Sequence, residues 1–133
     1  MSALKGAALS PRAQLMMSAP DFFEVSYSIN PWMRPDQWRA QAEDLSLDAQ
    51  RGWAALKAQY EALGAAVYVQ PAQRGLPDLV FTANAGFVLD RTVVPARFMH
   101  PQRQGEQAHD AAFFGELKAQ GLIERMVPLP PDL

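Results

Sequence analysis

Two glycines, Gly64 and Gly121, stand 57 residues apart, and each is followed seven residues later by a proline, Pro71 and Pro128. A run with helical spacing precedes each glycine, and a short apolar run fills each interval between glycine and proline. Glycine enters the left-handed backbone region that ends many helices, and proline cannot donate to a strand ladder. The pattern therefore predicts a helix-Gly-strand-Pro unit used twice, which places the chain in the α/β class. A recurring unit of this size suits a propeller-like or stacked architecture, in which each unit covers its neighbour's apolar face. Such joints also occur singly in any α/β protein, so repeat and coincidence stand about even from this pattern alone.

The rest of the chain fills in around the two units. The first helix is predicted over Leu47 to Leu63, with Ser46 as N-cap and Trp53, Leu56, Tyr60 and Leu63 on one inward face. Ala66 to Gln70 reads as the strand that follows it, and Gln14 to Met17 as a short, weaker strand. Ser18 to Pro35, rich in aromatics, Asn and Pro, reads as an ordered irregular loop. Pro77 to Phe81 reads as another strand. Gly86 to Leu89 and Thr92 to Val94 flank Asp90-Arg91 as a hairpin whose turn type is open, since Arg is a poor residue at positive φ. Arg97 to Gln107 reads as a polar loop. A second helix is expected over Glu106 to Gln120 with Phe113, Phe114 and Leu117 inward, then a strand over Leu122 to Val127. Residues 1–13 carry no periodicity and are expected to be a loose leader to a single domain.

Composition removes several function classes. The chain has 133 residues, 49% hydrophobic and 20% charged, with a formal net charge of -2 and no basic stripe. Nucleic acid and anionic membrane are not expected partners. No apolar run reaches the ~20 residues of a membrane helix, and no secretory signal opens the chain, so a cytoplasmic location is expected. There are no cysteines, which excludes a disulfide scaffold, a thiolate metal site and a Cys nucleophile. His100 and His109 match no metal-ligand spacing, and neither a phosphate loop nor a dinucleotide fingerprint is present. No cofactor or metal is expected, and no residue is assigned a catalytic role.

Three places carry polar groups suited to a ligand. In Leu76-Pro77-Asp78-Leu79-Val80-Phe81-Thr82-Ala83-Asn84-Ala85-Gly86 a carboxylate precedes an apolar run and an amide follows it. Such a pair fits a ligand bearing ammonium or guanidinium donors, although Asp78 capping a turn and Asn84 forming a bend is the commoner use of these residues. Arg97 follows the hairpin, where a guanidinium can clamp a carboxylate through two hydrogen bonds; a solvated surface arginine is the plainer alternative. In Tyr27-Ser28-Ile29-Asn30-Pro31-Trp32-Met33, Asn30 is biased to extended backbone by Pro31, and Trp32 and Met33 are able to wall a pocket or simply to pack.

The ordered set of Ser18-Ala19-Pro20-Asp21-Phe22-Phe23, Tyr27 through Met33, Pro77 through Gly86 and Arg97-Phe98 through Arg103-Gln104-Gly105-Glu106 resembles the N-terminal part of the guanidino-group-modifying enzymes, the pentein superfamily of dimethylargininases, arginine deiminases, amidinotransferases and arginine dihydrolases. The Ile-Asn-Pro-Trp-Met and Phe-Thr-Ala-Asn-Ala-Gly segments are most similar to the arginine dihydrolase branch. The resemblance runs roughly from Leu15 to Val127. It implies an α/β propeller of five pseudosymmetric ββαβ units, of which residues 14–133 would supply about two. It further implies that Asp78 accepts from a substrate α-ammonium, Asn84 faces the guanidino group, Arg97 binds the α-carboxylate, Phe81 lines the channel and Asn30 lies near its mouth. The family's catalytic Cys and His and its supporting Glu match no residue here. The expectation is a substrate-recognition portion, inactive alone, for arginine or a related guanidino compound, with self-association or a missing C-terminal segment covering its open edges. A catalytically dead arginine-binding or dimerising module and a purely structural α/β fragment are the rival readings.

Overall fold

The computed structural model describes residues 12–133, so the leader expected at 1–13 lies, apart from Arg12 and Ala13, outside the described residues. Strand β1 (Gln14–Ser18) pairs in parallel with β2 (Ala66–Gln70), Gln14 opposite Ala66 and Ser18 opposite Gln70. Parallel neighbours need a long crossover. Here it carries the irregular loop and two helices, α1 (Pro35–Ala40) and α2 (Ala42–Ala62). A second sheet holds the antiparallel hairpin β3 (Gly86–Leu89) and β4 (Thr92–Pro95), with β5 (Arg125–Met126) parallel to β4 on its far side. Between β4 and β5 run α3 (Pro101–Gln104) and α4 (Glu106–Ala119). The chain is a mixed α/β fold with one ββαβ unit and one parallel β-helix-β unit; among the described residues the two sheets stay separate and neither closes.

Both predicted glycine joints are present and are built alike. Gly64 has φ +93° and Gly121 φ +78°. At the first, the Gly64 N–H donates to Glu61 O (2.9 Å) and the Ala65 N–H to Tyr60 O (3.0 Å). At the second, the Gly121 N–H donates to Lys118 O (3.0 Å) and the Leu122 N–H to Leu117 O (2.9 Å). These are the paired 6→1 and 5→2 bonds of a Schellman closure, which satisfy carbonyls left free at a helix end.

The core lies under the second unit. Ala85, Val93, Phe113, Phe114, Leu117 and Ile123 form one buried cluster, with Met16 and Tyr68 of the first sheet packed against it. Gly86 permits this contact: a Cβ there would stand 2.9 Å from the Val94 carbonyl oxygen and 3.2 Å from the Phe114 ring. The hairpin turn puts both Asp90 (φ 48°) and Arg91 (φ 63°) in the left-handed region, the demand of a type I′ turn. Arg91 is held there by its side chain, which donates to Glu124 Oε1 (2.8 Å) and to the Gly121 carbonyl.

Five expectations need correction. Pro77 to Phe81 is not a strand but a 3-10 turn (Pro77–Val80) followed by a second (Thr82–Asn84). Pro77 at the first position favours a helical start, and the local carbonyls are taken by i→i+3 bonds: Phe81 N–H to Asp78 O and Asn84 N–H to Phe81 O, both 3.0 Å. Ser46 caps nothing, because α1 begins at Pro35 and α2 begins at Ala42, four residues before Ser46. The face expected to be inward on α2 is at best half-buried, with Leu56 47% and Leu63 83% exposed. The polar loop after Arg97 contains a helix, α3, started by Pro101, and β5 spans only Arg125–Met126.

Candidate functional site

A 3-10 helix has three residues per turn, so side chains at i and i+3 eclipse. Asp78, Phe81 and Asn84 are spaced by three along the double 3-10 segment, which carries all three side chains to one edge. That edge forms a wall of a cleft of about 480 Å³, a size suited to a small molecule. The loop between β1 and α1 supplies the opposite wall with Phe23, Asn30, Trp32 and Met33, and Trp38 of α1 adds to it. The loop is shaped by Asn30, whose Oδ1 accepts from the Trp32 and Met33 amides, both at 3.0 Å. Phe23 packs edge-on against Trp38 (5.2 Å) and Phe81 (5.8 Å), joining the two walls.

The floor is polar. Asp78 is 5% exposed and accepts from the Tyr27 hydroxyl at Oδ2. Burial, and then the hydrogen bond to the Asp78 carboxylate and its charge, push the Tyr27 phenol well above its ordinary range, so it stays a neutral donor. Beside it lies Arg103. Its Nε donates to Glu106 Oε2 (2.9 Å) and its Nη2 to Glu106 Oε1 (2.8 Å), a bidentate clamp on a carboxylate that is itself 2% exposed. Its Nη1 donates to Asn84 Oδ1 (3.0 Å) and Nη2 to the Asp78 carbonyl (3.2 Å), while Nε stands 4.0 Å from Asp78 Oδ2. The guanidinium lies 4.4 Å over the Phe98 ring. Burial works against its charge, but the Glu106 hydrogen bond and the neighbouring carboxylates more than offset that and hold it above its ordinary value. Glu106 neutralises Arg103, and the other charged residues lining the cleft are Asp78 and Arg34, so by formal charge the site carries no excess of either sign.

Of the five residues singled out in the sequence, Asn30, Asp78, Phe81 and Asn84 share this cleft. Arg97 does not. Its Nη2 donates to the carbonyls of Pro130 (2.7 Å) and Leu133, and it lines a different hollow with Phe98, Met99 and Gln104. The arginines that line the cleft are Arg34 and Arg103. Sequence reasoning gave no role to Tyr27, Arg103 or Glu106; the available signal was the i, i+3 spacing of Arg103 and Glu106 across a helix start marked by Pro101. Neither histidine belongs to a metal-binding group: among the described residues no cluster of three or more His, Cys, Asp or Glu side chains is able to hold a metal ion. No described helix is long and apolar enough to cross a membrane.

No protein-family profile matches the sequence, but individual relatives do. The bifunctional arginine dihydrolase/ornithine cyclodeaminase ArgZ of Synechocystis is 40% identical over 103 residues, 77% of this chain and 14% of that protein. The N(G),N(G)-dimethylarginine dimethylaminohydrolase of Mycobacterium tuberculosis is 37% identical over 111 residues, 84% of this chain and 35% of that protein. Among solved structures, the N-terminal domain of ArgZ bound to product, an arginine dihydrolase of cyanobacteria, superposes with a TM-score of 0.64 at 34% identity, covering 92% of this chain and 41% of that one. The chain belongs to the superfamily of guanidino-group-modifying enzymes, the penteins, and matches an N-terminal domain there. Within it the similarity points to the arginine dihydrolase branch. The chain spans 14% of the length of one of these relatives and 35% of the other.

Proposed function

We propose that the cleft recognises arginine or a related guanidino compound, and that the chain is the substrate-recognition portion of an enzyme acting on a guanidino C–N bond. The observation that carries this is the convergence of Asn30, Asp78, Phe81 and Asn84 on one cleft, with the Asp78 carboxylate as an acceptor for a cationic group. Asp78 Oδ2 is engaged by Tyr27, so Oδ1 is the acceptor available to a ligand ammonium; Phe81 and Trp38 offer apolar surface for a methylene chain. Covalent chemistry at a guanidino carbon needs an activated nucleophile and a positioned acid/base. These 133 residues include no cysteine, so the chain is expected to bind without turning over. The same reading makes residues 14–133 a single partial domain, about two units of a five-fold α/β propeller in a cytoplasmic protein. The ββαβ order of β3 to β5 and the matched Schellman closures support the propeller. Self-association through open strand edges belongs to this reading as well.

Titration calorimetry with L-arginine tests it. Binding in the millimolar range or tighter is expected, lost in Asp78→Ala. Arg97→Ala separates the resemblance from the geometry. Weakened binding would mean that Arg97 leaves the Pro130 and Leu133 carbonyls to clamp the ligand carboxylate. Unchanged binding would leave Arg97 outside the site. No heat from the wild-type chain at millimolar arginine would sink the reading and favour a structural fragment.

A further inference from the structure

Beyond the Arg103–Glu106 pair, the charged residues lining the cleft are Asp78 on the 3-10 wall and Arg34 at the end of the loop wall. Arg34 is exposed and takes part in no ion pair among the described residues. Its backbone, by contrast, is pinned. The Asn30 side chain holds the Trp32 and Met33 amides just before it, Pro35 opens α1 just after it, and its own carbonyl accepts from the Trp38 N–H (3.1 Å). The main chain thus delivers an unpaired guanidinium to the cleft. A guanidinium has five N–H donors, and those of Arg34 are spent on no carboxylate among the described residues.

We propose that Arg34 is a specificity residue of the cleft, a donor fork at its mouth for the carboxylate of the ligand, so that the site favours guanidino compounds that carry a carboxylate over those that do not. This rests on the reading of the cleft as an arginine-type site. Two effects give the selection. A guanidinium meets a carboxylate through two parallel charge-assisted hydrogen bonds. The same guanidinium repels a ligand whose charges are all positive, and specificity uses such a repulsive element as well as an attractive one. Asp78 attracts the cationic groups common to both kinds of ligand, so it does not tell them apart. Because Arg34 is exposed, water screens its charge and the effect is modest.

The test uses the full chain, wild type and Arg34→Gln, with two ligands: L-arginine, and L-argininamide, in which a neutral amide replaces the carboxylate. The chain has three tryptophans. Trp32 and Trp38 line the cleft and Trp53, on α2, does not. NMR titration of the indole N–H signals therefore reads affinity and place together, with Trp53 as the internal control. Arg34→Gln is expected to bind L-arginine about fivefold more weakly than the wild type, and to bind L-argininamide as tightly or slightly more so. Equal affinity of the two proteins for L-arginine overturns the proposal. An equal loss for both ligands overturns it too, since Arg34 would then only shape the loop. If L-arginine moves neither Trp32 nor Trp38 in the wild type, it is the reading of the cleft as an arginine site that fails, and this proposal with it. Should Arg34→Gln not fold, Arg34→Lys, which keeps the charge but not the fork, carries the same comparison, with a smaller loss expected for L-arginine alone.

Discussion

Helices α2 and α4 end in the same way and pack in opposite ways. Both stop at a left-handed glycine with matching backbone bonds. Yet α2, 21 residues long, has no buried residue, while α4, 14 residues long, buries Glu106, Asp110, Phe113, Phe114 and Leu117. The closure is a local event, decided by a few consecutive residues. Burial is decided by what stands opposite, and α4 has the β3-β4-β5 sheet opposite it. The greater part of the α2 surface faces no element of the described chain.

The largest expected consequence of that difference is in stability. Phe114 is 3% exposed within the core cluster, and Phe114→Ala is expected to cost about 3–5 kcal/mol. Leu56 on α2 is 47% exposed, and Leu56→Ala should stay within about 0.5 kcal/mol of the wild type. Urea unfolding of the two variants measures both. A loss at Leu56 comparable to that at Phe114 would mean that α2 is covered in solution, as self-association would do.

Legibility in the sequence followed the same division between local and non-local. The two glycine joints, strand β2 and the hairpin were readable because each is fixed by neighbours in the chain. The inward residues of α4 were readable because a sheet does lie against them; the same periodicity misled on α2, where periodicity alone does not say whether a partner is present. The segment from Pro77 to Asn84 was misread as a strand because its apolar run fits either geometry, and Pro77 was the cue for the helical one. The misreading hid the reason its polar residues converge: Asp78, Phe81 and Asn84 share a face by a period of three, not two. Arg103 and Glu106 escaped notice because a charged pair on a helix start is usually solvated, and only the fold shows this one buried.

The joint between the two units gives a prediction of intermediate size. Gln70, at the end of β2, donates from Nε2 to Asp110 Oδ1 of α4 (2.9 Å), and both residues are 2% exposed. Burial, with a contribution from the Glu106 charge and against the Gln70 hydrogen bond, pushes the Asp110 carboxyl up to about 6 from 3.8. A carboxyl whose pKa is higher in the folded than in the unfolded state penalises folding when ionised. The penalty is full above pH 6, is relieved as pH falls through that value, and is gone below about pH 4. A shift of this size corresponds to about 3 kcal/mol. Denaturant unfolding at pH 4.5 and 7.5 should therefore show Asp110→Asn gaining stability over the wild type at the higher pH and losing most of that advantage at the lower. An advantage independent of pH would show that the joint does not titrate.

The smallest effects test the part the two units share. Gly64 and Gly121 both have open space where a Cβ would project, so an alanine at either meets no clash and only the backbone preference is at stake. A non-glycine residue in the left-handed region costs about 1–2 kcal/mol. Because the backbone bonds at the two joints correspond one for one, Gly64→Ala and Gly121→Ala are expected to destabilise by nearly equal amounts, despite the different burial of the helices they end. The Gly121 carbonyl also accepts from Arg91, but that bond uses the main chain and survives the substitution. Equal losses in urea unfolding would show that helix termination here is independent of packing. A Gly64→Ala variant that loses much less than Gly121→Ala would instead mean that the end of α2, unsupported by a core, frays and adopts another conformation, and that the likeness of the two joints depends on what each helix rests against.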